Sequence, residues 1–79
     1  MAIYVGIKRL NADDEFAEYS FGPNDDKLGR LRINKRSGEI EVLEEVAGDE
    51  SKKYSVRAAR KLILHFRSNE FPEVTCFAS

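Results

Sequence analysis

Apolar and polar residues alternate through most of the first 46 positions, with the period of two that is typical of strands buried on one face. The alternation occurs in four segments, at residues 2–10, 16–21, 28–34 and 39–46. Turn-forming residues separate these segments, at 11–15, 22–26 and 37–38. The pattern therefore predicts four short strands, and their succession in the chain favours an antiparallel meander.

The third and fourth segments form the clearest hairpin. Arg30 and Arg32 would share its outer face with Glu39 and Glu41. Opposite charges on facing strands contribute about 0.2–1 kcal/mol per pair and help to fix the register. Pairing within the fold thus explains part of the charge pattern without any function.

In the second half of the chain the hydrophobic period changes to that of a helix. One face of a helical wheel collects Tyr54, Val56, Ala59, Leu62, Ile63 and Phe66. The predicted helix begins at Lys52 or Ser55 and ends at Ser68, and Asp49 or Ser51 can cap its first turn.

These elements predict an α+β fold, in which a four-stranded antiparallel meander carries one C-terminal amphipathic helix packed on one face. Residues 74–78 favour a short fifth strand, which would complete the order ββββαβ. We expect one domain, 1–79, because 79 residues supply only one small core.

The composition limits the cellular compartments in which we expect the protein. The single cysteine, Cys76, excludes an intramolecular disulfide. No signal-peptide pattern opens the chain, and no apolar run approaches the roughly 20 residues of a membrane span. We therefore expect a cytoplasmic protein with no membrane partner.

The sequence offers little for catalysis. His65 and Cys76 are the single residues of their types, and no glycine-rich phosphate-binding motif occurs. One histidine and one cysteine cannot complete the usual four-ligand zinc site without carboxylates. The loop acids at 13–15 and 25–26 lack the spacing of a calcium loop. We expect no enzymatic activity, no cofactor and no metal.

Charge is segregated along the chain, although the formal net charge is only −1. Residues 11–26 hold six acids and no base, 27–36 hold five bases and no acid, 39–50 hold six acids, and 52–67 hold six bases. In a meander, the loop at 22–27 and the connection at 47–51 lie at the same end. We expect six carboxylates to gather there, at what we call the acidic end: Asp25, Asp26, Glu44, Glu45, Asp49 and Glu50.

The acidic end favours a protein partner with a basic cleft, such as a nuclease or another protein that handles nucleic acid. Its carboxylates can present the kind of charge that a nucleic-acid backbone presents, which speeds association. Leu43 or Leu64 would supply an apolar anchor for such a contact. The alternative is that these acids are simply solvated.

Two other interpretations remain open. The bases of the helix, among which Leu64 projects, could serve a small nucleic-acid-binding or regulatory module, although the pI near 5.8 argues against it. A homodimeric scaffold domain could instead associate through an exposed edge strand, or through an outer sheet face carrying Tyr4, Phe16 and Leu43.

Four sequence segments resemble those of a known group of proteins, and the resemblance covers nearly the whole chain. They are residues 21–23, 31–35 with 37–41, 57–62, and 71–79. Together they resemble small bacterial immunity proteins that accompany polymorphic or contact-dependent growth inhibition toxins. The resemblance implies a protein that binds its cognate toxin, often a nuclease, and blocks its active site. We therefore expect a non-catalytic toxin inhibitor.

Overall fold

The computed structural model describes residues 3–78 and confirms the predicted α+β fold. The elements are β1 (Tyr4–Ala12), β2 (Phe16–Asn24), β3 (Lys27–Asn34), β4 (Ile40–Glu44), α1 (Lys53–Arg67) and β5 (Val74–Ala78). The order is ββββαβ, as predicted. The predicted start of the first strand, at residue 2, lies outside the described residues.

The second strand is longer than the prediction that ended it at Phe21. Gly22 and Pro23 continue β2, and a register shift between β2 and β3 falls there. Proline is tolerated at such irregularities because it has no N–H to donate. The bend comes later, where the Asn24 side-chain oxygen accepts the N–H groups of Asp26 (2.9 Å) and Lys27 (3.1 Å).

The strands form one antiparallel sheet in the order β4-β3-β2-β1-β5. The first four strands are the predicted meander. After β4 the chain crosses one face of the sheet as α1 and returns as β5 on the far side of β1. Tyr4 therefore lies opposite Ala78, so that the start of β1 is paired with the end of β5.

The core lies between α1 and the inner face of the sheet. Its buried apolar residues are Val5, Ile7, Ala17, Tyr19, Phe21, Leu31, Ile33, Val46, Ala58 and Leu62. Those that lie on β1, β2 and β3 follow the predicted alternation. Burying such side chains, at about 1.5–3 kcal/mol for each large one, is what holds the helix on the sheet.

The buried face of α1 differs from the predicted one. Val56 and Ile63 are exposed, at 50% and 36% of their surface, whereas Ser55 and Ala58 are buried. Leu62 is buried as predicted. Small residues at the centre of the contact let the helix backbone approach the sheet closely, and this turns the two β-branched residues toward solvent.

The two ends of α1 lie at opposite ends of the domain. Lys53 and Tyr54 line a notch with Pro23, Asn24 and Asp49, so the helix begins beside the β2–β3 turn. At the other end Phe66 packs against the β3–β4 turn at Gly38, where an added Cβ would come within 2.7 Å of its ring. Gly38 also has a φ of 79°, which disfavours any side chain.

The connection from α1 to β5 is held by two side chains of the meander. An Arg9 guanidinium nitrogen donates to the Phe71 carbonyl at 2.7 Å. The Tyr19 hydroxyl donates to the Pro72 carbonyl at 2.8 Å. β5 is thus fixed both by its pairing with β1 and by these two contacts at its entrance.

Within residues 3–78, no helix has the length and apolar character needed to cross a membrane.

Candidate protein-binding surface

The outer face of the sheet, opposite α1, carries a groove of about 640 Å³. Four exposed apolar side chains contribute to its walls: Tyr4, Leu10, Leu28 and Val74. Gly6 of β1 lies directly opposite Gly22 of β2 in the lining of the groove, and the Tyr4 side chain lies over Gly6. This surface is therefore concave and largely apolar.

The outer face is charged but balanced on the β3–β4 side. Arg30 lies 3.3 Å from Glu44 and 3.4 Å from Glu18, and Arg32 lies 2.7 Å from Glu41. Arg32 and Glu41 share the outer face of the hairpin, as predicted, and lie directly opposite each other. Arg30 pairs with Glu44, because a register shift between β3 and β4 leaves Leu43 unpaired and moves Glu44 opposite Arg30.

The structure brings part of the predicted acidic end to the groove. Asp25 and Glu44 line one end of the groove. Asp26 and Glu50, which are close to them in the sequence, are exposed. Lys8 and Arg30 line the groove as well, and Arg30 is paired with Glu44, so Asp25 is the lining acid that forms no ion pair among the described residues.

Asp49 has a different role in the structure. It is buried, and its Oδ2 accepts the Tyr54 N–H at 2.9 Å while Oδ1 accepts the Ser51 hydroxyl at 3.3 Å. The Asp49 side chain thus accepts a first-turn N–H of α1, as predicted, although the N-cap position itself is Lys52, whose φ is 60° and whose side chain makes no capping hydrogen bond. Glu45 is half-buried, and one of its carboxylate oxygens is enclosed without a hydrogen-bond partner among the described residues.

The two predicted apolar anchors are both exposed but lie apart. Leu43 is on β4, next to Glu44. Leu64 is on α1, eleven residues beyond Lys53, which places it about 16 Å along the helix from the acidic end. Leu43 could therefore share an interface with the acidic end, whereas Leu64 belongs to another surface.

The bases of α1 form a second charged surface. The helix contains no acid, and its Lys and Arg residues are Lys53, Arg57, Arg60, Lys61 and Arg67. None of the ion pairs formed within residues 3–78 involves these five. Unlike the arginines of β3, they are not neutralised by neighbouring strands.

His65 and Cys76 do not meet. A ring nitrogen of His65 lies 3.0 Å from the Thr75 hydroxyl, on the helix side of β5. Cys76 follows Thr75 in the strand and so points to the outer face. The described residues contain no group of three or more His, Cys, Asp or Glu residues placed to hold a metal ion.

Sequence reasoning missed the groove. The alternation by itself does not mark Leu10, Leu28 or Val74 as parts of a common surface. The sequence pattern placed Gly22 in a turn, and only the observed register of β1 and β2 brings it opposite Gly6. Comparison of the chain with protein-family models, curated proteins and solved structures finds no match.

Proposed function

We propose that this chain is a non-catalytic binding protein that neutralises a cognate bacterial toxin by direct protein–protein contact. The observation that carries the proposal is the apolar groove with Asp25 in its lining, an acid that forms no ion pair among the described residues. The partner that fits it presents an apolar side chain flanked by Lys or Arg. The resemblance to immunity proteins supports a toxin, and a nuclease in particular has a basic cleft of this kind.

The two parts of the surface have separate roles in this proposal. Apolar side chains that become buried at the centre of an interface slow dissociation, so Leu28 is an anchor. Exposed carboxylates at the rim mainly speed association and make it sensitive to salt. Asp25 is suited to this role because it lies on the tip of the β2–β3 turn.

The test is to co-express the chain with the toxin domain encoded by the neighbouring gene, measuring growth rescue and, for purified proteins, binding kinetics. Leu28→Ser should weaken binding about tenfold through faster dissociation. Asp25→Lys should slow association several-fold, and the effect should shrink at high salt.

Two matched variants serve as controls. Asp14→Lys changes an exposed acid on the β1–β2 turn, at the opposite end of the meander. Leu64→Ser changes an exposed leucine on the opposite face of the domain. Equal losses in Leu64→Ser and Leu28→Ser would exclude the groove. A neighbouring gene without toxicity, or a toxin that does not bind, would contradict the proposed function. Salt-sensitive binding of oligonucleotides would then favour the nucleic-acid alternative.

A further inference from the structure

The two edges of the sheet differ in how they are protected from further strand pairing. β4 carries Glu41 and Glu44, and a register shift interrupts its pairing with β3. β5 has the sequence Val-Thr-Cys-Phe-Ala, without charge, proline or any irregularity in its pairing with β1. Charges and bulges are the usual means of keeping a sheet edge from pairing with another chain. Only the β4 edge has them.

The hydrogen-bonding phase of β5 shows which of its backbone groups are free. The Arg9 N–H donates to the Glu73 carbonyl at 2.8 Å, so these two residues form a hydrogen-bonded pair. Because such pairs alternate along an antiparallel ladder, Thr75 and Phe77 also bond to β1. The N–H and C=O groups of Val74, Cys76 and Ala78 therefore point away from β1, toward the open edge.

We propose that a second copy of this chain pairs with β5, antiparallel and related by a two-fold axis at Cys76. Val74 then lies opposite Ala78 of the second copy, and Cys76 lies opposite its own counterpart. All three residues with outward backbone groups are satisfied, because each facing pair exchanges two hydrogen bonds. The two sheets become one continuous sheet, and the interface is closed because the same surface of each copy is used.

The side chains of the outer face favour a second copy as the occupant of this edge. Val74 and Tyr4 are the most exposed large apolar residues of the described chain, at 69% and 56%. Val74 is on β5, and Tyr4 lies directly beside Ala78. The two-fold pairing places Val74 of one copy opposite Ala78 of the other, next to that copy's Tyr4. The exposed Val74 is thereby placed opposite a small residue, twice, and no charged residue of β5 opposes another.

The inferred dimer is a property of the β5 edge and does not depend on the proposed toxin. The groove stays accessible, because strand pairing extends the sheet in its own plane. An interface of one strand pair with a few apolar contacts lies at the small end of specific interfaces, so we expect a reversible dimer in the micromolar range.

The experiment is sedimentation velocity under reducing conditions, over roughly a hundredfold range of concentration that reaches the high micromolar. The wild-type chain should shift from monomer to dimer. Val74→Pro removes an N–H that faces the open edge and breaks no bond to β1, so it should weaken the dimer at least tenfold. Val74→Lys, which leaves the backbone intact, should do the same by placing a charge on the edge.

A second measurement reports the register. Cys76 is the only cysteine, so a short bis-maleimide reagent can join two copies only through this residue. The two-fold pairing sets these Cα atoms about 5.5 Å apart, well within reach. Cross-linking should be efficient in the wild type and lost in Val74→Pro, while Cys76→Ser should still form the dimer in sedimentation.

Three results would overturn the inference. One is a monomer throughout the concentration range, with no cross-linking. Another is a dimer that Val74→Pro and Val74→Lys leave unchanged, since association would then use another surface. The third is growth into larger species, which a closed two-fold interface does not allow. Thermal unfolding of each variant checks that a lost dimer is not a lost fold.

Discussion

Two acids that look alike in the sequence hold backbone in place. Asp13 and Asp49 both lie in polar connections, where solvated carboxylates are expected. Asp49 caps α1, whereas Oδ1 of Asp13 accepts the N–H groups of Glu15 (2.8 Å) and Phe16 (2.7 Å) and so closes the β1–β2 turn. These two backbone hydrogen bonds to the charged form lower the pKa of Asp13 below its ordinary value.

The lowered pKa of Asp13 sets the direction of a pH effect. A carboxyl group with a lower pKa in the folded state stabilises the fold above its ordinary pKa, and this stabilisation is lost as the pH falls through the folded value. Asp13→Asn should therefore lower the unfolding temperature at neutral pH, and the difference from wild type should shrink in acid. Thermal unfolding followed by circular dichroism from pH 7 downward measures it.

Asp14→Asn is the matched control, one residue away on the same exposed turn. It should leave the unfolding temperature at neutral pH close to that of the wild type, because the N–H groups of Glu15 and Phe16 are held by Asp13. A difference between Asp13→Asn and wild type that stays constant in acid would show that the charge of Asp13 does not stabilise the turn.

At the scale of elements, the strands were predictable and the rotation of the helix was not. A strand has two faces, so period two fixes which side chains are buried. A helix can rotate continuously about its axis, and the largest apolar residues placed the predicted face over Val56 and Ile63. The structure instead centres the contact on Ser55 and Ala58, whose small size allows close packing. Residue size, rather than hydrophobicity alone, decides the face.

The rotation of the helix reverses the expected sign of the effect of Val56→Glu on stability. A buried Val56 would make Val56→Glu destabilising by several kcal/mol, because a charge would enter the core. Because Val56 is exposed, Val56→Glu instead places an acid three residues after Lys53 and four before Arg60. Each such pair stabilises a helix by about 0.2–0.5 kcal/mol, so the unfolding temperature should rise by a few degrees at low salt.

Val56→Gln separates the charge from the loss of the β-branched side chain. The advantage of Val56→Glu over Val56→Gln should disappear in about 1 M NaCl, where exposed pairs are screened. Strong destabilisation by both variants would place Val56 in the core after all.

At the scale of the whole molecule, the meander explains which parts of the candidate surface could be predicted. Alternate connections lie at the same end of the sheet. Strand order alone therefore predicts that the β2–β3 turn and the connection after β4 are neighbours. The roles of individual acids did not, because Glu44 is paired through a register shift and Asp49 is turned inward as a cap. The groove likewise depends on cross-strand register, which no local pattern contains.

Tyr19 links the meander to the last strand, so we expect its substitution to act beyond its own site. Tyr19→Phe removes the hydrogen bond to the Pro72 carbonyl and should cost about 1 kcal/mol of global stability. Hydrogen exchange should show the largest local loss of protection at the amides of Thr75 and Phe77. Equal loss across all strands would mean that Tyr19 does not specifically hold β5.

Burial raises the pKa of the Tyr19 hydroxyl above its ordinary value. The neutral donor is therefore favoured in the folded state. The stability that the neutral Tyr19 hydroxyl contributes is complete below the ordinary tyrosine pKa and is lost as the pH rises through the pKa of the folded state. The difference in stability between wild type and Tyr19→Phe should therefore persist throughout the neutral range.

The pairing of Tyr4 with Ala78 has a consequence for how this fold can be rearranged. Residues 4 and 78 are neighbours on adjacent strands, so the polypeptide enters and leaves the sheet at one point. A linker of a few residues between them would close the backbone into a ring without disturbing the core, and the ring could be reopened at the exposed β1–β2 turn. The same geometry would let the whole sheet be grafted into a surface loop of a host protein, because the host would need to part its loop by little more than the spacing of two strands.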